Sequence, residues 1–559
     1  MTLKKIEPRF IAGPPGTGKT HVYITGLYGK LLSKYSYKKI LILSHTNVAA
    51  EQILEALFKL KDLKTEEGLY KFPQLQGITK KELRKTIGTI HHYCANRPSL
   101  KGKPTKTKLE DHKNLIIEDR RFGLDRNIDI DKHNLYKFRS DAKGRGMTYD
   151  EYWRNLELPE RNEYKPYNVE IMKELYDKYE KYKKLHNKED FTDMIERFID
   201  QDVKAPDVDA VIIDECQDSN VPQTAAIEKM ATNVKDGHFY LIGDADQTLF
   251  EYAGSNPDYF HKLASNPYHE LADGLRCSEA INTKCKTVIM PVWDKWGSHR
   301  IWTPAKYREE HGLGHVGETI KGEAYRLPYL ERGSTHLDIL LNKIKNSNQT
   351  FLFTYRGTPS DTRVTKFLSK QGLEYAMVDG SPHASKKEIN CHYVWPDFVK
   401  GKPMYLKQIK SFWNYMGSKV IPKGKGKYDF KDWIDKEYTI DELIDLKLLK
   451  PDCKKYTDFD LIRVPSGVTG GTEKLQYIKR VIANGFDNEK PNQIFYGNIH
   501  QVKGLTFDNV IVDHTMSMKR APEDFHTQLR LEYTAYSRGV FDYWELKSTT
   551  KRTLGVRSV

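Results

Sequence analysis

The sequence predicts an α/β fold with two parallel-sheet domains, each carrying one mostly helical inserted subdomain. Near the N-terminus a short apolar run, a Gly/Pro turn and a helical pattern follow one another, and a second strand–helix unit comes directly after them. Further apolar runs, each followed by polar residues, recur along the chain. Because parallel strands must be joined by long crossovers, repeated strand–helix units favour parallel sheets. Two stretches of different composition interrupt the series and mark the insertions.

The first two strand–helix units come early in the chain. The strand RFIA is followed by the turn GPPGTGKT and by a helical pattern through Val22, Leu27 and Leu31. Residues 40–43 are predicted to form a buried strand and residues 49–60 a helix. Later buried strands are predicted at 210–213, 239–242, 350–353 and 509–512.

The domain boundaries follow from the two atypical stretches. Residues 95–199 are rich in Lys, Asp and Tyr, and residues 381–469 carry Trp395, Trp413 and Trp433 together with a KGKGK run. We interpret both stretches as inserted subdomains. The remaining chain then divides into a first sheet domain, 1–94 plus 200–275, and a second sheet domain, 276–380 plus 470–559.

The composition excludes several classes of protein. Charged residues make up 30% of the 559 residues, no apolar run approaches the length of a bilayer crossing, and the N-terminus lacks a signal sequence. The six cysteines contain no CxxC pair, which argues against a disulfide framework or a zinc ribbon and favours a reducing compartment. The net charge of +14 would attract polyphosphates. A basic surface that serves only solubility is the alternative.

A glycine-rich segment between the first strand and its helix matches the pattern GxxxxGK[ST]. In such a loop the backbone N–H groups converge on phosphate oxygens, Lys19 reaches the β- and γ-phosphates, and the Thr20 hydroxyl ligates Mg²⁺. A chance glycine-rich turn is the alternative. The predicted nucleotide-binding residues here are Gly13, Pro14, Pro15, Gly16, Thr17, Gly18, Lys19 and Thr20.

Acidic and amide side chains follow two later strands, where a parallel sheet presents its ligand-binding edge. Asp214 and Glu215 come directly after residues 210–213, and we expect Asp214 to hold Mg²⁺ with Thr20 while Glu215 polarises an attacking water. Gln247 follows residues 239–242, and its amide is suited to sense a γ-phosphate. Together these segments predict a site that hydrolyses nucleoside triphosphates.

A series of motifs resembles superfamily 1 helicases, most closely the UvrD/Rep/PcrA branch. In chain order they are GPPGTGKT, LSHTNVAA, TIHHYC, DECQD, IGDADQTLFEYAG, LRCSEAI, NIHQVKGLTFDNV and RLEYTAYSRG. The resemblance implies two RecA-like domains with ATP bound between them, the cofactor Mg²⁺, and a motor that moves 3′ to 5′ on single-stranded DNA. The motifs are spread over nearly the whole chain outside the two insertions.

The resemblance also implies roles for residues that no local pattern identifies. Arg276 and Arg538 match arginines that reach the γ-phosphate, and Gly504 matches a glycine whose backbone approaches the same phosphate. The catalytic set is then Lys19, Asp214, Glu215, Gln247, Arg276 and Arg538. His45 and Tyr252 match positions where rings stack on bases. The polar positions near the DNA backbone are Thr46, Asn47, His91 and His500.

Four departures from the branch pattern stand out. Only 18 residues precede Lys19, which leaves no room for the glutamine that reads adenine in the family. Leu275 stands where a tyrosine usually stacks on the base, and Thr506 where a glutamate usually meets the ribose. Ala253 stands where an arginine commonly follows the stacking aromatic residue. The first three predict relaxed nucleotide selectivity, with GTP or dATP accepted nearly as well as ATP.

The resulting hypothesis is an ATP-dependent DNA helicase of a bacterial cytosol or nucleoid, or of a phage-infected host. Its expected partners are single-stranded DNA, single/double-strand junctions and replication, recombination or repair proteins, with no membrane partner. A DNA-stimulated translocase or remodelling subunit that needs a partner to unwind duplex is one alternative, motivated by the short second insertion. A metabolic P-loop kinase or GTPase is another, and RNA stays open as the track.

Overall fold

The computed structural model describes most of the chain in two compact units. The described residues are 7–96, 105–124, 134–156, 158–200, 204–308, 316–327, 330, 334–356, 363–378, 383–413, 415–425, 428–430, 433–457, 459, 471–514 and 525–546. Unit 1 comprises Met1–Glu323 and Met518–Phe541, and unit 2 comprises Ala324–Ser517 and Asp542–Val559. The two units are described one at a time.

Unit 1 begins as an alternation of strands and helices. Its strands are β1 Arg9–Ala12, β2 Ile40–Ser44, β3 Ile87–Thr89, β4 Thr105–Lys106, β5 Lys188–Glu189, β6 Ala210–Ile213, β7 Phe239–Gly243 and β8 His269–Glu270. Its helices up to residue 296 are α1 Thr25–Leu32, α2 Asn47–Lys59, α3 Lys80–Leu83, α4 Ile90–Ala95, α5 Leu109–Glu118, α6 Asn134–Gly144, α7 Tyr149–Asn155, α8 Leu158–Glu163, α9 Val169–Leu185, α10 Phe191–Ile199, α11 Val221–Met230, α12 Pro257–Ala264 and α13 Glu279–Trp296.

The first sheet is six-stranded and parallel, in the order β3-β2-β6-β7-β1-β8. Side chains of its central strands alternate between two cores. On β6, Val211 and Ile213 face one core, whereas Ala210 and Ile212 face the other. Helices cover both faces, which explains why these strands are apolar at nearly every position, with Arg9 and Ser44 as exceptions at strand ends. The carboxyl ends of β1, β6 and β7 therefore meet at one edge of the sheet.

A helical region between β3 and β6 has its own core. Its buried side chains come from residues 115–182 and are largely aromatic, with five of them on α9: Met172, Leu175, Tyr176, Tyr179 and Tyr182. An ionic network joins α6, α9 and α10, because buried Arg139 on α6 contacts Glu180 on α9 and both Asp190 and Asp193 at the start of α10. This region is thus a helical subdomain attached to the first sheet.

Unit 2 is built around a second six-stranded sheet. Its strands are β9 Ala324–Leu327, β10 Phe351–Tyr355, β11 Tyr375–Met377, β12 Met404–Tyr405, β13 Glu437–Tyr438, β14 Ile494–Asn498 and β15 Phe507–Asp513. Its helices are α14 Thr335–Asn346, α15 Arg363–Gln371, α16 Lys386–Val399, α17 Leu406–Trp413, α18 Ile440–Asp445, α19 Gly471–Ala483 and α20 Ile499–Val502. A separate core formed by residues 391–459 includes Trp395 and Trp413.

The chain then returns through helix α21, Phe525–Tyr536, and strand β16, Gly539–Leu546. Helix α21 packs along α13 in unit 1. Strand β16 completes the second sheet, whose order is β11-β14-β10-β15-β16-β9. The pairs β11–β14, β14–β10, β10–β15 and β16–β9 are parallel.

Two six-stranded parallel sheets confirm the predicted α/β fold class, and both are consistent with RecA-like domains. The predicted domain boundaries stay a prediction, because units 1 and 2 are defined only by the packing of their residues against one another. By that measure residues 276–323 and 518–541 belong with unit 1. In the described residues, no helix combines the length and the apolar character that a bilayer crossing requires.

Candidate functional site

The glycine-rich segment forms a tight loop between β1 and α1. The Gly13 N–H donates to the Gly243 carbonyl on the neighbouring strand β7 (3.1 Å), which fixes the start of the loop. Gly16 and Gly18 have φ values of +71° and +79°, in the left-handed region that favours glycine. A Cβ atom on Gly16 would also collide with Arg276. Glycine is therefore required here by conformation and by space.

A short π-helical turn, Lys19–Ile24, leads from this loop into α1. The Gly18 carbonyl accepts from the N–H groups of both Val22 (2.9 Å) and Tyr23 (3.0 Å). Such turns are uncommon and recur at functional sites. The turn begins at Lys19, the residue predicted to reach the phosphates.

The Lys19 ammonium is buried inside the loop. Its Nζ donates to the carbonyls of Gly13 (2.7 Å) and Pro14 (3.2 Å). Burial lowers the pKa of Lys19, and the negative charges of Glu215 and neighbouring aspartates oppose that shift. An ammonium held against the loop backbone by these two carbonyls is suited to bind phosphate oxygens.

Asp214 and Thr20 form the candidate metal site. Asp214 directly follows β6, is 1% exposed, and accepts a hydrogen bond from the Thr20 hydroxyl through Oδ2 (2.9 Å). Burial raises the pKa of Asp214 to about 7, and the adjacent Glu215 adds to the shift. Paired oxygen donors with excess negative charge fit Mg²⁺, which takes one or two protein ligands and leaves the rest to phosphate and water. No group of three or more metal-ligating side chains occurs in the described residues.

Glu215 is held in an unusual conformation next to Asp214. Its φ of 52° lies in the left-handed region, which is rare for residues other than glycine and is associated with functional sites. The Gln217 amide donates to Glu215 Oε2 (2.6 Å), and its oxygen accepts from the Asp244 N–H (3.2 Å). A Cβ on Gly243 would overlap that oxygen. Gln217 thus positions Glu215, a role that the sequence analysis missed although DECQD contains the residue.

Ser537 links three of the predicted catalytic residues. Its hydroxyl accepts hydrogen bonds from Gln247 Nε2 (3.2 Å) and Arg538 Nη2 (2.8 Å). Its carbonyl accepts from Arg276 Nη1 (3.4 Å). Ser537 lies within the motif RLEYTAYSRG, but its role could not be predicted from the sequence, because only the tertiary structure shows these partners.

The two arginines lie in the same electrostatic environment as the loop. Burial lowers the pKa of Arg538 to about 10, helped by the positive charge of Arg276 and opposed by Glu215. Burial likewise lowers the pKa of Arg276, and the charge of Arg276 acts on Lys19. Three crowded cations would gain from a bound polyanion. Unit 1 therefore brings together all six predicted catalytic residues.

Buried carboxylates support the turn that carries Gln247. Asp244 accepts from the Tyr533 hydroxyl (3.1 Å), and Asp246 accepts from Trp293 Nε1 (2.7 Å). Burial raises the pKa of Asp246 to about 7. Helices α13 and α21 therefore hold the turn after β7 in place through hydrogen bonds.

Tyr252 and His45 occupy different surroundings. The Tyr252 side chain is half-exposed, at 50%, and its ring lies 6.0 Å from that of Phe250. His45 Nε2 lies 2.9 Å from the Ser219 hydroxyl and is partly buried. The exposed ring of Tyr252 provides a surface for stacking.

The other predicted DNA contacts vary in accessibility. Thr46 caps α2 by accepting from the Ala49 N–H (3.1 Å), and Asn47 is exposed beside it. His91 packs edge-on against Phe191, with ring centroids 5.5 Å apart. In unit 2, His500 is the second residue of the short helix α20.

The remaining nucleotide-site positions divide between the units. The Leu275 N–H donates to the Gly16 carbonyl (2.7 Å), and a Cβ on Gly18 would come within 2.9 Å of Leu275 Cδ1. Leu275 therefore covers the loop with apolar surface. In unit 2, Gly504 has a φ of +85°, and Thr506 is exposed.

Comparison with known protein families identifies this arrangement. Residues 3–267 match the family model described as UvrD/REP helicase N-terminal domain. This part of the chain is similar to the N-terminal domain of UvrD/REP helicases. The matched range contains the loop, Asp214, Glu215, Gln247 and Tyr252, so the predicted superfamily 1, UvrD-like resemblance is confirmed.

Two curated proteins show the same relationship over shorter ranges. The chain is 31% identical over 119 residues to YjcD of Bacillus subtilis (strain 168), whose name describes an ATP-dependent DNA helicase. It is 25% identical over 241 residues to the ATP-dependent DNA helicase PcrA of Leuconostoc citreum. These matches cover 19% and 39% of this chain, and 15% and 30% of the relatives. The chain thus aligns with less than a third of either relative's length.

Proposed function

We propose that this protein is a Mg²⁺-dependent ATPase that moves 3′ to 5′ along single-stranded DNA and unwinds duplex. One observation carries the proposal: Lys19, the Asp214–Glu215 pair, Gln247 and both arginines surround a single phosphate loop in a UvrD/REP helicase domain. The 3′ to 5′ direction rests on the family resemblance. The expected compartment, a bacterial or phage-infected cytosol, follows from the DNA substrate.

The residues of the loop have complementary roles toward a nucleoside triphosphate. Backbone N–H groups and Lys19 bind the phosphates, and Thr20 with Asp214 would hold Mg²⁺, which neutralises phosphate charge. Glu215 orients the attacking water and accepts its proton, since its carboxylate is fixed by Gln217. Arg276 and Arg538 stabilise the charge on the transferred phosphoryl group.

The same residues give the protein a way to respond to hydrolysis. Gln247, Arg276 and Arg538 share Ser537, so the loss of the γ-phosphate changes the interactions of all three together. A ligand shifts a conformational equilibrium only through its different affinity for the two states, and the γ-phosphate supplies that difference here. Tyr252 and His45 then hold stacked bases while Thr46, Asn47, His91 and His500 contact the backbone of the strand.

In this proposal, the protein selects the nucleotide base only weakly through hydrogen bonds. Leu275 offers only apolar contact beside Gly18. A site without polar groups that match the base discriminates weakly between bases. We expect the kcat/KM values for ATP and GTP to differ by less than about a hundredfold, or ~2.7 kcal/mol. Steady-state hydrolysis of both nucleotides by the same preparation measures this ratio, and a larger preference for ATP contradicts the expectation.

The central experiment compares hydrolysis with and without single-stranded DNA. The wild type should be stimulated by DNA, and Lys19→Ala and Arg538→Ala should lose hydrolysis by about a thousandfold or more. Lys30→Ala, an exposed lysine on α1, is the matched control and should behave like the wild type. Absence of stimulation by DNA would reject the motor and favour a metabolic kinase or GTPase.

Strand displacement separates the helicase from a translocase that needs a partner. A tailed duplex with a 3′ overhang should be unwound by the purified protein, whereas a 5′ overhang should not. Hydrolysis stimulated by DNA without any displacement supports the translocase. An RNA oligonucleotide tests the track, because backbone and stacking contacts distinguish the two sugars poorly.

A further inference from the structure

A buried ion pair joins the turn that carries Tyr252 to helix α21. Arg530 is fully buried, at 0% exposure, and its Nη2 donates to Glu251 Oε1. Its Nε donates to the Thr248 carbonyl (3.2 Å). The Thr527 hydroxyl donates to the same Glu251 oxygen (2.8 Å). Two residues of α21 therefore hold the turn at its backbone and at a charged side chain.

The surroundings make this pair stronger than a surface ion pair. The Glu251 side chain is 26% exposed, and the Arg530 guanidinium lies 5.6 Å from the ring centroid of Trp296. Charges interact more strongly where water is largely excluded, and removing one partner leaves the other buried without compensation. The position of Glu251 is consequently tied to that of α21.

Helix α21 and this turn are joined at a second point. At the far end of the helix, Ser537 accepts from Gln247, which lies four residues before Glu251. Arg530 and Arg538 are separated by about two helical turns, or roughly 12 Å at 1.5 Å per residue. The turn thus contacts α21 beside Tyr252 through Arg530 and beside the phosphate loop through Ser537.

We propose that Arg530 and Glu251 are positioning residues that couple a strand bound at Tyr252 to Gln247 and Arg538. Glu251 directly precedes Tyr252, so a base that stacks on the ring and moves it also moves the carboxylate. Arg530 transmits that movement to α21, which leads into Ser537 and Arg538. This inference rests on the proposed function, because it assigns the route by which DNA stimulates hydrolysis.

A purely structural role makes a different prediction. If the pair only stabilised unit 1, its loss would lower hydrolysis with and without DNA in the same proportion, together with the Tm. A coupling role lowers only the part of the rate that DNA adds. The ratio of the stimulated to the basal rate separates these two cases.

The test uses Glu251→Gln, which keeps the size and one hydrogen-bond acceptor but removes the charge. Arg530→Lys is the second variant, because it keeps the charge but loses the planar fork that reaches two partners. Asp452→Asn is the matched control, since it breaks an exposed ion pair with Lys455 (2.7 Å) in unit 2. Basal hydrolysis, hydrolysis with an oligo-dT strand, the oligonucleotide concentration for half-maximal stimulation and the Tm are measured for each protein.

We expect Glu251→Gln to keep basal hydrolysis within twofold of the wild type and to reduce the stimulation by at least about fivefold. Combining Glu251→Gln with Tyr252→Ala should have no further effect on stimulation, because both changes interrupt one route. Unchanged stimulation in both variants, an equal loss of basal and stimulated rates, or additive effects with Tyr252→Ala would each overturn the inference. A wild type that DNA does not stimulate would instead reject the proposed function itself.

Discussion

Ser537 shows how much of the candidate site depends on one small side chain. A single hydroxyl serves Gln247 and Arg538, and the carbonyl of the same residue serves Arg276. Hydrogen bonds to charged groups contribute more than neutral ones, and a buried donor left unsatisfied is costly. The positions of the Gln247 amide and of the Arg538 guanidinium therefore depend on the Ser537 hydroxyl.

We predict that Ser537→Ala lowers kcat for DNA-stimulated ATP hydrolysis by roughly tenfold to a hundredfold, because a charged hydrogen bond contributes ~1.5–3 kcal/mol. Ser537→Thr keeps the hydroxyl and should retain most of the activity. Ser33→Ala removes an exposed hydroxyl at the end of α1 and serves as the control. A kcat within twofold of the wild type for Ser537→Ala would show that the hydroxyl does not position these groups.

At the scale of elements, the helical subdomain contacts the Tyr252 turn backbone to backbone. Gly144 ends α6, and a Cβ atom on it would overlap the carbonyl oxygen of Ala253. A Cβ on Gly254, whose φ is +95°, would in turn overlap the Gly144 carbonyl. Arg145 Nη2 also donates to the Tyr252 carbonyl (3.4 Å). Through these close contacts, the subdomain sets the position of the turn.

We predict that Gly144→Ala displaces α6 from the turn, at a cost of about 1–3 kcal/mol for overpacking. Amide hydrogen exchange of residues 247–255 should become faster, and stimulation of hydrolysis by DNA should fall. Gly123→Ala is the control in the same subdomain, because its Cβ would come no closer than 3.4 Å to Ile116. Exchange that matches the wild type in Gly144→Ala would show that the contact relaxes without consequence.

A buried carboxyl group in α6 predicts a pH effect on the helical subdomain. Burial raises the pKa of Asp141 from 3.8 to about 6, against the opposing charge of Lys137 and a hydrogen bond from Tyr164. The folded state thus binds the proton more tightly than the unfolded state. Its contribution to stability is fully present below about pH 4 and is lost as the pH rises through about 6.

We predict that the subdomain loses up to ~3 kcal/mol between pH 4 and pH 7.5 from this group, at 1.36 kcal/mol per pKa unit. Asp141→Asn should remove most of that dependence and stabilise the subdomain at pH 7.5. Hydrogen exchange of α6 and α9 at both pH values measures the local free energy of opening. The same pH dependence in the variant and the wild type would assign the effect to another group.

At the scale of the whole molecule, the net charge of +14 bears on how the protein binds its track. Each phosphate of a single strand that is neutralised releases counterions, which makes binding weaken as salt rises. A basic surface that served only solubility would show no such dependence. The salt dependence of binding therefore distinguishes the two interpretations of the same charge.

We predict that affinity for an oligo-dT strand falls at least about tenfold between 50 and 200 mM salt, as three or more neutralised phosphates require. Fluorescence anisotropy with a labelled strand, repeated at four salt concentrations, provides the slope. A neutral dye-labelled peptide is the control for nonspecific changes. A slope near zero would contradict phosphate contacts as a main source of affinity.

The fold could be predicted where the pattern was local and long enough. Residues 210–213 are apolar throughout and form β6 with those bounds. The predicted run at 350–353 overlaps β10, which begins one residue later, and the run at 509–512 lies within β15. The strand β8 was missed because it consists of His269 and Glu270 alone, which carry no apolar period. The tertiary structure, through pairing with β1, makes these residues a strand.

The sequence by itself determined the phosphate loop, since Gly13 to Thr20 are contiguous and their chemistry depends on local backbone conformation. It also determined the order of apolar strands and polar edges that produces a parallel sheet. Only the tertiary structure decided that Ser537 would join Gln247 to two arginines, and that Arg530 would pair with Glu251, 279 positions away. Contacts between distant residues depend on how strands and helices pack, and no local pattern carries that information.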